Sequence, residues 1–257
     1  MAKKISLIST LHYWKLLFRS CLFLAAAGLY VYDIMNGVES PLVHFDYSPI
    51  ILIAIWWIFI VEMILRFFPS KLESMGCQKQ FKKNYIPSSK EFEHVPNPGA
   101  PKYPTLVVLA SWIILNGAIF ALFFGGIIDE GILVLIALAY SVCDMICILF
   151  FCPFQEWMMK NKCCGSCRIY NWDFAMMFTP LIFIKGWFTW SLVGIALALL
   201  VQWEILYKLH PERFDEATNY HLACVNCTEK LCSHKKTLQA FLAKQRSILK
   251  HKEKEFL

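Results

Sequence analysis

Apolar residues run along this chain in long blocks rather than in alternation. Residues 16–32, 49–68, 105–124 and 132–151 are such blocks, each with at most two charged side chains, and 174–206 is a longer one broken at Lys185-Gly186. Crossing hydrocarbon about 30 Å thick takes a helix of about 20 residues, because every backbone N–H and C=O must be bonded within the segment. The pattern therefore predicts an all-α, polytopic membrane protein with six transmembrane helices arranged as three hairpins.

Polar stretches divide the chain between the hairpins. The expected division is a basic N-terminus at 1–15, helices one and two at 16–68, and a proline-rich linker at 69–104. Helices three and four follow at 105–151, a cysteine-rich loop at 152–173, helices five and six at 174–207, a Cys/His knot at 208–236, and a basic tail at 237–257. Pro69 and Pro211 stop the second and sixth helices, since proline has no N–H to continue the ladder. The block at 174–206 is too long for one span and tight for two, its first half holding only about 11 apolar residues. Pro180 makes a kinked or re-entrant segment the competing reading of that half.

Composition sharpens the picture. The chain is 58% hydrophobic and 17% charged, against roughly half and a quarter in soluble domains. The net charge of +6 matters through its placement. On the six-helix reading only Lys185 among the 25 Lys and Arg residues falls on the outer side, so the positive-inside bias puts both termini in the cytosol. The expected setting is a plasma or inner membrane. In the tail, Leu238, Phe241, Leu242, Ile248 and Leu249 recur at helical spacing opposite Lys244, Arg246 and Lys250, a pattern suited to anionic lipid headgroups or to the protein's own cytosolic face. No nucleic-acid motif accompanies the charge.

The candidate chemistry lies in eleven cysteines. A reducing cytosol disfavours structural disulfides, leaving packing, redox thiols and metal ligation. Cys164-x2-Cys167 and Cys224-x2-Cys227 are two knuckles, each able to turn two thiolates onto one ion, and two knuckles make a tetrahedral zinc site. The intervening hairpin must close for them to meet. Cys152, Cys163, Cys232 and His234 form a second candidate ligand set. Cys21, Cys143 and Cys147 lie in apolar helices and read as packing. An iron–sulfur cluster is the rival cofactor, with Cys152-Pro153 as its suggestive feature.

Three acids lie in or beside the apolar blocks: Glu62, Asp144 and Glu204. Glu62 and Glu204 each precede a base by four residues and a proline by seven, which admits a weak internal repeat and, with it, a shared ion or proton path as an alternative reading. An ordinary helix-end pair explains the same spacing. There is no phosphate-cradling glycine loop, His-Glu-x-x-His or nucleophile elbow. The expected role is therefore non-enzymatic: a membrane scaffold, assembly or transport component stabilised by zinc. Two rivals stand beside it. One is a redox protein coupled to quinone or another membrane partner, and the other is a transporter using the three acids.

Overall fold

The computed structural model describes residues 7–38, 42, 49–69, 78–88, 103–159, 167–215, 217–223 and 226. Among the described residues the regular structure is all helical, joined by turns and an isolated antiparallel bridge between Pro87 and Asn219. The long helices are α1 (Leu7–Met35), α2 (Pro49–Phe67), α3 (Tyr103–Phe124) and α4 (Glu130–Leu149). Beyond them come a six-residue π-helical turn at Phe154–Met159, the short α5 (Asp173–Phe178) and the long α6 (Trp187–Leu209). Five helices, α1 to α4 and α6, are long and apolar enough to cross a membrane. Many large apolar side chains, such as Ile50, Trp57, Ile114 and Trp190, face outward. That is the build of an integral membrane protein, whose outer surface is meant for lipid rather than water.

Local chemistry sets the helix limits. Pro49 opens α2, and Pro104 sits in the first turn of α3, where a missing N–H costs nothing. Asp129 caps α4, its carboxylate accepting from the Ile132 N–H at 2.8 Å. α1 starts well before residue 16, so it carries His12 and Arg19 within it, both buried.

Contacts between the helices fix their directions. α1 lies antiparallel to α4, joined by Arg19 and Asp144 near one end and by Tyr30 and Asp129 near the other. α2 runs parallel to α6, with Trp56 bonded to Ser191 and the Phe67 carbonyl accepting from Gln202. α3 is the most peripheral: only 11% of its apolar window is buried, against 33% for α4.

The shortest helix is the most enclosed. α5 is flanked by 3-10 turns at Arg168–Trp172 and Thr179–Phe183, which together form one composite segment. Its Phe174, Met177, Phe178 and Leu181 are buried in the core beside Phe59 and Met63 of α2, Leu133 of α4 and Leu199 of α6. Pro180 explains the change of helix type. It has no N–H for the Met176 carbonyl, and the Thr179 N–H takes that carbonyl instead, tightening the turn. The chain then turns at Ile184 to Gly186, where the sequence breaks its apolar block.

At the end of the bundle bearing the C-terminus of α6, three pieces of chain form a folded cap. Part of the 69–104 segment, residues 78–88, packs against 211–223 and 167–172. Ser88 N–H donates to the Thr218 carbonyl at 2.9 Å, and Tyr220 N–H to the Ile86 carbonyl at 2.9 Å. Asn219 is fully buried, donating to the carbonyls of Lys79 and Arg213 at 2.9 and 2.8 Å while accepting from the His221 N–H. Trp203 of α6 lies edge-on to Phe81 and Phe214 beneath the cap. Burial raises the Tyr85 phenol above its ordinary pKa, and the Glu212 carboxylate adds to the shift; the neutral O–H points to the Thr218 carbonyl.

Asn219 is the most heavily bonded side chain between two of these pieces, tying Lys79 to Arg213. Asn219→Ala strands two buried carbonyls and is expected to cost about 2 to 4 kcal/mol. Thermal unfolding in detergent measures the loss, and limited proteolysis is expected to cut first within 78–88.

Candidate functional site

Four charged side chains meet inside the bundle. Arg19 of α1 is almost fully buried, with 2% of its side chain exposed. One guanidinium nitrogen donates to Glu62 of α2 at 2.8 Å; the other donates to Asp144 of α4 at 3.0 Å and to the Ser141 carbonyl at 3.1 Å. Lys15, one turn earlier on α1, lies 3.5 Å from the second oxygen of Glu62. Two cations thus balance two carboxylates, and the Phe59 ring covers the guanidinium carbon at 5.6 Å. Removing one partner from such a group leaves an uncompensated charge in low dielectric, which costs more than the pair contributes.

Two further ion pairs surround the composite segment. Arg66 of α2 pairs with Asp173 at the start of α5, its guanidinium lying over the ring of Phe174 at 4.7 Å. Arg168 pairs with Glu204 of α6 and stacks on Tyr207 at 4.4 Å. Trp172 donates its indole N–H to Glu204 at 2.7 Å. Of the three acids singled out from sequence, the fold brings Glu62 and Asp144 together through Arg19. Glu204 has its own arginine. The sequence reading counted Arg19 and Arg168 toward orientation and set Arg66 beside Glu62 four residues earlier, whereas Arg19 joins α1 to both α2 and α4, Arg66 pairs with Asp173 and Arg168 with Glu204. An arginine within an apolar run, with acids in other runs, was the signal available.

The cysteines divide differently. Cys163, Cys164, Cys224, Cys227, Cys232 and His234 lie outside the described residues, as does the basic tail at 237–257. Cys167 is buried beside Val108 and Ile169. Cys152 lies just past α4, its sulfur accepting from the Gln155 N–H at 3.4 Å. Among the described residues no three His, Cys, Asp or Glu side chains are grouped to hold a metal ion. A cavity of about 120 Å³ does collect four thiols in its walls: Cys143, Cys147, Cys152 and Cys167. The first two read from sequence as packing. Their spacing of four, followed by Cys152 five positions on, is the pattern that places all three at the foot of one helix.

Arg19→Met is expected to destabilise the protein by about 3 to 5 kcal/mol. Adding Glu62→Gln and Asp144→Asn to it should recover most of that loss, because both carboxylates are then neutral and the remaining cation, Lys15, is the most exposed of the four. Thermal unfolding of the single and triple variants in one detergent decides the matter; equal losses would show that the site is held by packing rather than charge.

The chemistry has to be read from these residues themselves: no family model matches the chain, and neither curated proteins nor solved structures give a match.

Proposed function

We propose that the chain is a six-span membrane protein with cytosolic termini, whose cytosolic cap is locked by one structural zinc ion. Cys164, Cys167, Cys224 and Cys227 hold the ion, and the protein serves as a scaffold or assembly component rather than an enzyme. The observation that carries this reading is the interlocked cap. Asn171, four residues after Cys167, bonds to Gln80 at 2.9 Å. Asn219, five residues before Cys224, bonds to the neighbouring Lys79 carbonyl. Described residues next to both knuckles therefore belong to one small patch of packed chain, which supports a shared tetrahedral site.

The composite segment supplies the sixth crossing. A 3-10 turn rises about 2.0 Å per residue against 1.5 Å in an α-helix, so residues 168–183 reach about 29 Å, close to the hydrocarbon thickness. At one end Arg168 meets Glu204 near the C-terminus of α6; at the other, Phe183 packs on Phe120 and Phe124 at the far end of α3. Six crossings return the tail to the side of the N-terminus and leave Lys185 as the outer cation, in keeping with the positive-inside bias. Balanced charges at Arg19 suit a structural tie, which favours the scaffold reading over an acid-lined path. Zinc is favoured over iron and sulfur because paired Cys-x2-Cys knuckles suit a closed four-thiolate site.

Metal analysis of protein purified without oxygen tests the site. Zinc near one ion per chain is expected in a colourless protein, lost in the variant with Cys164→Ser and Cys227→Ser. Iron with sulfide and a visible band would replace the scaffold reading with a redox one. For the sixth span, Lys185→Cys in a background lacking other reactive thiols should be labelled by impermeant maleimide from the outer side of intact cells; protection there would make residues 168–183 re-entrant.

A further inference from the structure

We propose that Cys147 and Cys152 form a redox-active dithiol, oxidised to a disulfide by a quinone-class acceptor that occupies the cavity beside them. Neither is in a disulfide, and the two thiols are in hydrogen-bonding contact with each other. The end of α4 creates that contact. Phe150 and Phe151 both return their N–H groups to the Ile146 carbonyl, at 2.8 and 3.1 Å, so the chain folds back beneath the last helical turn. Cys147 belongs to that turn and Cys152 follows the fold-back. Cys152 lies outside the helix, and its backbone can adjust as a sulfur–sulfur bond closes.

The cavity indicates the oxidant. Its walls are mostly apolar, with the rings of Trp112, Tyr140, Phe154 and Tyr170 among them. An enclosed apolar cavity of roughly 150 Å³ admits a benzene ring; this one, about 120 Å³ and open on one side, takes one edge of a six-membered ring and leaves the rest of the ring and its substituents in the opening. Cys143 lines the cavity and is also exposed, so the cavity reaches the surface of the apolar helix α4. A ligand arriving by that route is apolar, planar and membrane-soluble. A soft metal ion is the weaker fit, since these thiols do not form a group of three ligands.

The reaction balances without a further reagent. Two S–H bonds break and one S–S bond forms between Cys147 and Cys152. The two electrons and two protons pass to the quinone, whose carbonyl oxygens become the hydroxyls of a hydroquinone. The site uses neither knuckle and is independent of the proposed zinc.

The test uses the full chain, purified without oxygen in mild detergent and mixed with duroquinone, whose fully methylated ring resists addition by thiols. Hydroquinone is followed by ultraviolet absorbance, and the thiols by alkylation and peptide mapping. The expected result is hydroquinone in step with the amount of chain and a Cys147–Cys152 link that dithiothreitol reverses. Cys21→Ser, a change on the outer face of α1, should leave both unchanged, whereas Cys147→Ser and Cys152→Ser should each abolish them. The proposal falls if both thiols of the unaltered protein stay open to alkylation after duroquinone, or if the disulfide joins any other pair. The deciding measurement is on the unaltered protein, so a variant that fails to fold cannot imitate either result.

Discussion

A guanidinium has no way to shed its charge in a low-dielectric interior, and this constraint governs the bundle around Arg19. Arginine stays protonated at any ordinary pH, so the helix carrying it is stable only where carboxylates are supplied by its neighbours. Glu62 and Asp144 supply them from α2 and α4. Apolar packing between helices discriminates poorly in lipid, because the tails are as apolar as leucine. The ion network does discriminate: it admits one rotation of α1 and one register against two partners. Arg66 with Asp173 and Arg168 with Glu204 extend the same device to the composite segment and α6.

The composite segment shows how a short apolar stretch can occupy the centre of a bundle. A proline inside a helix ordinarily breaks or kinks it. Here the tighter turn that follows Met176 absorbs the lost hydrogen bond, and the surrounding helices bury the result. Phe174 and Phe178 stack on one another within the segment and meet Phe59 from α2. Neighbouring helices are what allow irregular backbone at this depth.

Much of this was readable from the chain, and the limits have physical causes. The blocks at 49–68, 105–124 and 132–151 correspond to α2, α3 and α4 within a few residues, because apolar length is a strong signal in one dimension. The start of α1 was set too late because His12 and Lys15 look like surface residues until the neighbouring helices are brought to them. The acids Glu62, Asp144 and Glu204 were picked out by their apolar surroundings, but sequence spacing could not reveal which arginine each would meet. Residues 78–88 looked like connector because their order comes from backbone bonds to Thr218 and Tyr220, which leave no periodicity. The thiol-lined cavity was hidden for a similar reason: a cysteine facing lipid and one facing a cavity look alike in sequence.

The distance along the chain between Arg19 and its partners has a meaning in time. Glu62 follows Arg19 by 43 residues and Asp144 by 125. At about 5 to 20 residues per second, the ribosome delivers the first carboxylate within roughly 2 to 9 s and the second only after roughly 6 to 25 s. A nascent α1 therefore has a ready counter-ion in its own hairpin but waits much longer for the full network. Lys15 and Arg19 together outnumber Glu62 by one charge during that interval, which holds that end of the early hairpin near the membrane surface. Arrival of α4 ends the wait, so the last step in settling the first helix belongs to the fourth.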